Sequence, residues 1–127
     1  MKNIEIKRSP SSPYFPSIKF NAETGVCDII GESYMEEAYK FYLPLINWLK
    51  DYIQEKNKPV YLNIKLIYFN TSTTKCLLDI FELLKKYKDQ GGTIRITWFY
   101  DKEDPDMIDE VRDFEKEADL SIEVKEF

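Results

Sequence analysis

The sequence predicts an α/β fold, a mixed β-sheet with helices packed against it. Three observations carry this reading. Residues 60–69 alternate apolar and polar, as a half-buried strand does, and residues 77–87 then change to helical spacing. The same change from strand to helix recurs over 93–118. After the opening strands the two kinds of element alternate to the end, which favours parallel pairing. The chain has 127 residues, 43% of them hydrophobic and 15% aromatic, enough to bury a core and too apolar for wholesale disorder. No repeat or linker divides it, so residues 1–127 are expected to form one domain.

Ile4 and Ile6 flank Glu5 as a short edge strand. Pro10, Pro13 and Pro16 then fix φ and remove donors, which predicts an extended connector. Ser17 to Phe20 and Val26 to Gly31 read as strands joined by the hairpin loop Asn21–Gly25. Ser33 with Glu36 has the spacing of a capping box, so a helix is expected to begin there. Its apolar stripe is Ala38, Phe41, Tyr42, Leu45, Leu49, Tyr52 and Ile53, and Pro44 is expected to kink or divide it.

Val60 to Phe69 is the clearest strand, with Leu62, Ile64 and Leu66 on one face and Tyr61, Asn63 and Lys65 on the other. The helix that follows carries Leu77, Ile80, Phe81, Leu84 and Tyr87 inward. Glu82, Lys85, Lys86 and Asp89 lie outward, with Glu82 and Lys86 spaced to pair. Gly91 and Gly92 stop it. Thr93 to Tyr100 is another strand, Asp104 and Pro105 start a helix with Met107, Val111, Phe114 and Ala118 inward, and Ile122 and Val124 mark a last strand.

A net charge of −5 and a pI of about 4.9 argue against nucleic acid as a partner, since phosphate binding needs a basic face. No apolar run approaches the roughly 20 residues that span a bilayer, and the opening MKNIEIKRSP lacks the apolar stretch of a secretory signal. A cytoplasmic protein without direct membrane insertion is expected. There is no histidine, which removes the commonest general base and the Ser-His and Cys-His nucleophile pairs. Cys27 and Cys76 lack metal-ligand spacing and read as small buried hydrophobes. The alternative for Cys76 is a reactive thiol, its pKa lowered by a place in the first turn of a helix. The run Asp101, Glu103, Asp104, Asp106 lacks the glycine of a calcium loop and reads as solvated. No catalytic residue, metal or cofactor is expected.

Four hydroxyls in a row, Thr71, Ser72, Thr73 and Thr74, sit where the strong strand meets its helix. Such junctions point the free donors of a helix N-terminus outward. Asn70 and Thr71 are both competent N-caps, yet one cap is enough and threonine is a mediocre helix former. Spacing leaves two readings open, plain capping or a hydroxyl kept for modification. A phosphate here adds about −1.5 to −2 charges, which the helix dipole and Lys75 would tolerate. Tyr68 and Phe69, beside the run, are candidate docking aromatics.

The pieces FNAETGVCDIIGESY, FYLPLINWL, YFNTSTTKCLLDIFELL and ITWFYDKEDPDM resemble the SiaC-family regulatory phosphoproteins along nearly the whole chain. That family's domain is similar to the STAS fold of anti-sigma-factor antagonists. The resemblance implies that Thr71, after the asparagine, is the phosphoacceptor, modified by a partner protein kinase and restored by a PP2C-type phosphatase. It implies that the unmodified form binds and activates a diguanylate cyclase, raising cyclic di-GMP and promoting aggregation or biofilm. STAS antagonists carry an acidic residue where this chain has Asn70, and Thr73 and Thr74 replace the family's serines. The alternatives are an antagonist that sequesters an anti-sigma kinase, and a small enzyme using Cys76 or the acidic loop.

Overall fold

The computed structural model describes residues 1–127. Its elements run β1 (Ile4–Ile6), β2 (Ser17–Phe20), β3 (Val26–Ser33), α1 (Ala38–Lys56), β4 (Val60–Phe69), α2 (Thr71–Asp89), β5 (Ile94–Tyr100), α3 (Met107–Ala118) and β6 (Glu123–Glu126). The six strands form one sheet whose spatial order equals the chain order. The β1–β2 and β2–β3 pairs are antiparallel, and β3–β4, β4–β5 and β5–β6 are parallel. The sheet is mixed, as the sequence predicts.

Three parallel crossovers that all step the same way place their helices on one face of a sheet. Here α2 packs between α1 and α3. The strands follow: in β4 Val60, Leu62, Ile64 and Leu66 are buried beneath the helices, while Tyr61, Asn63 and Lys65 lie half-exposed on the opposite, open face. The core is made there from Ile18, Phe20, Cys27 and Ile29, from Tyr42, Leu45 and Leu49 of α1, from Leu77, Ile80, Phe81 and Leu84 of α2, and from Trp98, Val111 and Phe114. Gly25 is required by a close approach: its φ is +75°, and a Cβ there would collide with the Pro59 carbonyl.

Several expectations are corrected. Ser33 does not cap α1. It ends β3, and α1 begins at Ala38 with no side-chain cap from Glu37. The hydroxyl that a local pattern assigns to capping is drawn into a buried pairing across the fold. Pro44 does not divide α1, which runs unbroken from Ala38 to Lys56. Pro44 and Lys40, the residue whose carbonyl loses its N–H partner, are both exposed, so water can take the bond. The proline segment turns rather than extends: Ser12 N–H donates to the Ser9 carbonyl at 3.0 Å, and Phe15 stacks on Phe41 at 5.1 Å. Glu82 and Lys86 form no ion pair; Lys85 instead pairs with Asp89 at 3.3 Å and Asp119 at 3.4 Å. Asp104 and Pro105 lie in the turn before α3, whose N-cap position is Asp106.

Candidate functional site

The site is the junction between β4 and α2. Asn70 holds an extended backbone, φ −96° and ψ 177°, and its side-chain Oδ1 accepts from the Thr73 N–H at 3.0 Å. Of the two competent caps, Asn70 is the one used, which makes Thr71 the first helical residue. The Asn70 amide Nδ2 also donates to the Met35 carbonyl at 3.0 Å, tying the helix end to the loop between β3 and α1.

The four hydroxyls have four different fates. Thr73 is fully buried. Its Oγ1 donates to the Ser33 carbonyl at 3.0 Å and lies 2.7 Å from Ser33 Oγ, which accepts from the Tyr42 hydroxyl at 2.9 Å. Since a carbonyl only accepts, the Thr73 proton goes to it and Ser33 Oγ donates to Thr73 Oγ1. The chain of bonds therefore runs Tyr42 to Ser33 to Thr73 to backbone. Thr74 Oγ1 folds back on the Asn70 carbonyl at 3.2 Å. Ser72 Oγ reaches across to α1 and accepts from the Ala38 N–H at 3.2 Å, supplying the cap that α1 lacks. Thr71 alone is exposed, and its hydroxyl bonds no protein group.

Around Thr71 the surface is mixed. Lys75, one turn along α2, is exposed and forms no ion pair. A groove of about 550 Å³ between α1 and α2 begins at Tyr39 and Ser72 and continues past Lys75, Leu78 and Asp79. On the other side, Tyr68 belongs to an edge-to-face ladder with Tyr34 at 5.6 Å, and Tyr34 meets Tyr14 at 5.4 Å.

Comparison with known proteins places this geometry. The profile of the SiaC family regulatory phosphoproteins matches residues 9–127. The chain belongs to the SiaC family. A protein of Pseudomonas aeruginosa strain UCBPP-PA14, itself uncharacterised, is 24% identical over 116 residues, covering 91% of this chain and 92% of that one. The crystal structure of apo-SiaC from Pseudomonas aeruginosa superposes with a TM-score of 0.88 at 24% identity, over 98% of this chain and 99% of that one. The SiaC chain solved in complex with the diguanylate cyclase SiaD, where SiaC is described as the activator, gives 0.86 at 23% identity over 96% and 100%.

In this SiaC-family chain the two candidate aromatics part company. The β3–β4 register shifts so that Gly31 opposes Leu66 and Glu32 opposes Tyr68, leaving Ile67 as a bulge. A one-residue slip turns the following side chains over. Tyr68 is 54% exposed on the open face, whereas Phe69 turns to the helix side and packs against Trp98 at 5.6 Å and Phe114 at 5.9 Å. The sequence did not single out Ser33, Met35, Ala38 and Tyr42 as part of the site. Cys76 is not in the first turn of α2; it faces inward and burial raises its pKa, the opposite of an activated thiol. Cys27 is raised likewise, by burial and then by the Asp28 carboxylate. No helix is long and apolar enough to cross a membrane.

Proposed function

We propose that this chain is a non-catalytic regulatory phosphoprotein of the cytoplasm whose switch is Thr71. A partner kinase phosphorylates Thr71 and a PP2C-type phosphatase removes the phosphate. The unmodified form binds and activates a diguanylate cyclase, raising cyclic di-GMP and promoting aggregation or biofilm. One observation carries the assignment of the residue: of the four hydroxyls at the junction, three are spent on internal hydrogen bonds and Thr71 is exposed and free. Membership of the family and the activator role described for Pseudomonas SiaC support the output.

The physical effect of the modification is local. A phosphate on Thr71 places a hydrated dianion at the N-terminus of α2, within reach of the helix dipole and Lys75. The buried Tyr42–Ser33–Thr73 chain need not move. What changes is the surface, where a partner docked against Tyr68 or the α1–α2 groove meets charge and bulk that it must desolvate.

The test compares three baits in host lysate, the wild type, Thr71→Ala and Thr71→Asp, with captured proteins identified by mass spectrometry. Wild type and Thr71→Ala are expected to retain a protein with a cyclase domain that Thr71→Asp loses. Identical partner sets for all three sink the switch, and an anti-sigma regulator in place of the cyclase redirects the output.

A further inference from the structure

We propose that Asn70 is the positioning residue of Thr71, and that its side chain must be an amide rather than any good helix cap. The inference rests on the reading of Thr71 as the modified residue.

Capping needs only an acceptor, which Asn70 Oδ1 supplies to the Thr73 N–H at 3.0 Å. Serine caps as well, and aspartate adds a favourable charge at the helix N-terminus. Asn70 differs at its other end, where Nδ2 donates to the Met35 carbonyl at 3.0 Å. That carbonyl only accepts. Serine in this place leaves it without its donor, and a carboxylate sets two acceptors against each other. The backbone of Asn70 is used too: its N–H donates to the Ser33 carbonyl at 3.1 Å and its carbonyl accepts from the Thr74 N–H at 3.0 Å. One residue thus joins the end of β3, the following loop and the first turn of α2.

Ser72, on the other side of Thr71, takes the Ala38 N–H at 3.2 Å. Both chain neighbours of Thr71 are therefore anchored to the segment from Met35 to Ala38. Thr71 is held in helical backbone between two anchors, and its side chain is left outside. A modifying enzyme meets that side chain on a held stretch of backbone against one loop. Removing the bond to Met35 keeps the cap and loosens that arrangement, so helix stability and modification of Thr71 separate.

The experiment expresses wild type, Asn70→Ser and Asn70→Asp in the native host. It follows the rate at which phosphate appears on Thr71 by intact mass and site mapping. Purified samples give melting temperatures and, from NMR relaxation, the backbone order parameter of Thr71. Both variants are expected to melt within a few degrees of wild type, with Asn70→Asp no lower than Asn70→Ser. Both are expected to lower the Thr71 order parameter and to be phosphorylated about tenfold more slowly, the size one lost hydrogen bond can account for. Unchanged rates and order parameters in both variants overturn the positioning role. A loss of rate that tracks a loss of melting temperature reduces Asn70 to a structural cap and overturns it equally. Retention of the rate by Asn70→Asp alone overturns the requirement for an amide. If wild type never carries phosphate on Thr71, the reading of that residue fails, while the NMR arm still decides whether Asn70 positions it.

Discussion

Thr71 and Thr73 stand two residues apart and are the same amino acid, yet the fold gives them opposite roles. Thr71 is exposed and bonds nothing, so Thr71→Ala is expected to change unfolding free energy by less than about 0.5 kcal/mol, the usual range for a surface substitution. Thr73→Val keeps the shape and removes a buried hydroxyl from between Ser33 Oγ and the Ser33 carbonyl. Ser33 Oγ then loses Thr73 Oγ1 and the Ser33 carbonyl keeps only the Asn70 N–H, a loss of buried hydrogen bonding expected to cost about 1–3 kcal/mol. Urea unfolding of the two variants beside wild type measures both, and equal losses would mean that the buried chain contributes nothing. This division was not legible in the sequence. The run of hydroxyls marked the junction, but which hydroxyl is free depends on Ser33 and Ala38, which lie 40 and 34 positions from their partners Thr73 and Ser72.

The elements were more legible, and they were misread where a local rule met a distant partner. Strand β4 as far as Leu66 and helix α2 throughout follow their periodicities because one face of each is buried over that length. Ser33 fits a capping box with Glu36, yet its hydroxyl finds a better-buried partner in Thr73, and the helix starts later. Helix α1 then takes its cap from α2, through Ser72. Replacing that serine with alanine is expected to destabilise the protein by about 1 kcal/mol, the usual size of a lost cap. Faster hydrogen exchange should be confined to the amides of the first turn of α1. Exchange that speeds up in α2 instead would refute the shared cap. The bulge at Ile67 was equally invisible, since nothing in YFN announces that Tyr68 and Phe69 exchange the faces that unbroken alternation would give them.

At the scale of the molecule, the mixed sheet was readable from the alternation of elements and a half-buried β4 from its own pattern, but that all three helices share one face was not, because it follows from the direction in which the crossovers step. Burial raises the Cys27 thiol and the Tyr42 phenol above their ordinary values; for Tyr42 this outweighs the hydrogen bond with Ser33, which lowers it. Above roughly pH 8.5, where a free thiol titrates, the unfolded chain releases protons that the folded chain keeps. Stability therefore falls as pH rises through the alkaline range. Urea midpoints are expected to be flat near neutrality and to drop between pH 9 and 10 (about where unfolded thiols and phenols ionise), with a shallower drop in Cys27→Ala; a flat profile would contradict it. The order of the sheet has one more consequence. Because β1 to β6 lie side by side in chain order, each strand joins an edge already built, and none must slip between finished neighbours. Every side chain and carbonyl that holds Asn70 to Thr74 lies at or before Thr74. On the ribosome, the hydrogen-bonding partners that anchor both neighbours of Thr71 are synthesised while β5, α3 and β6 are still untranslated.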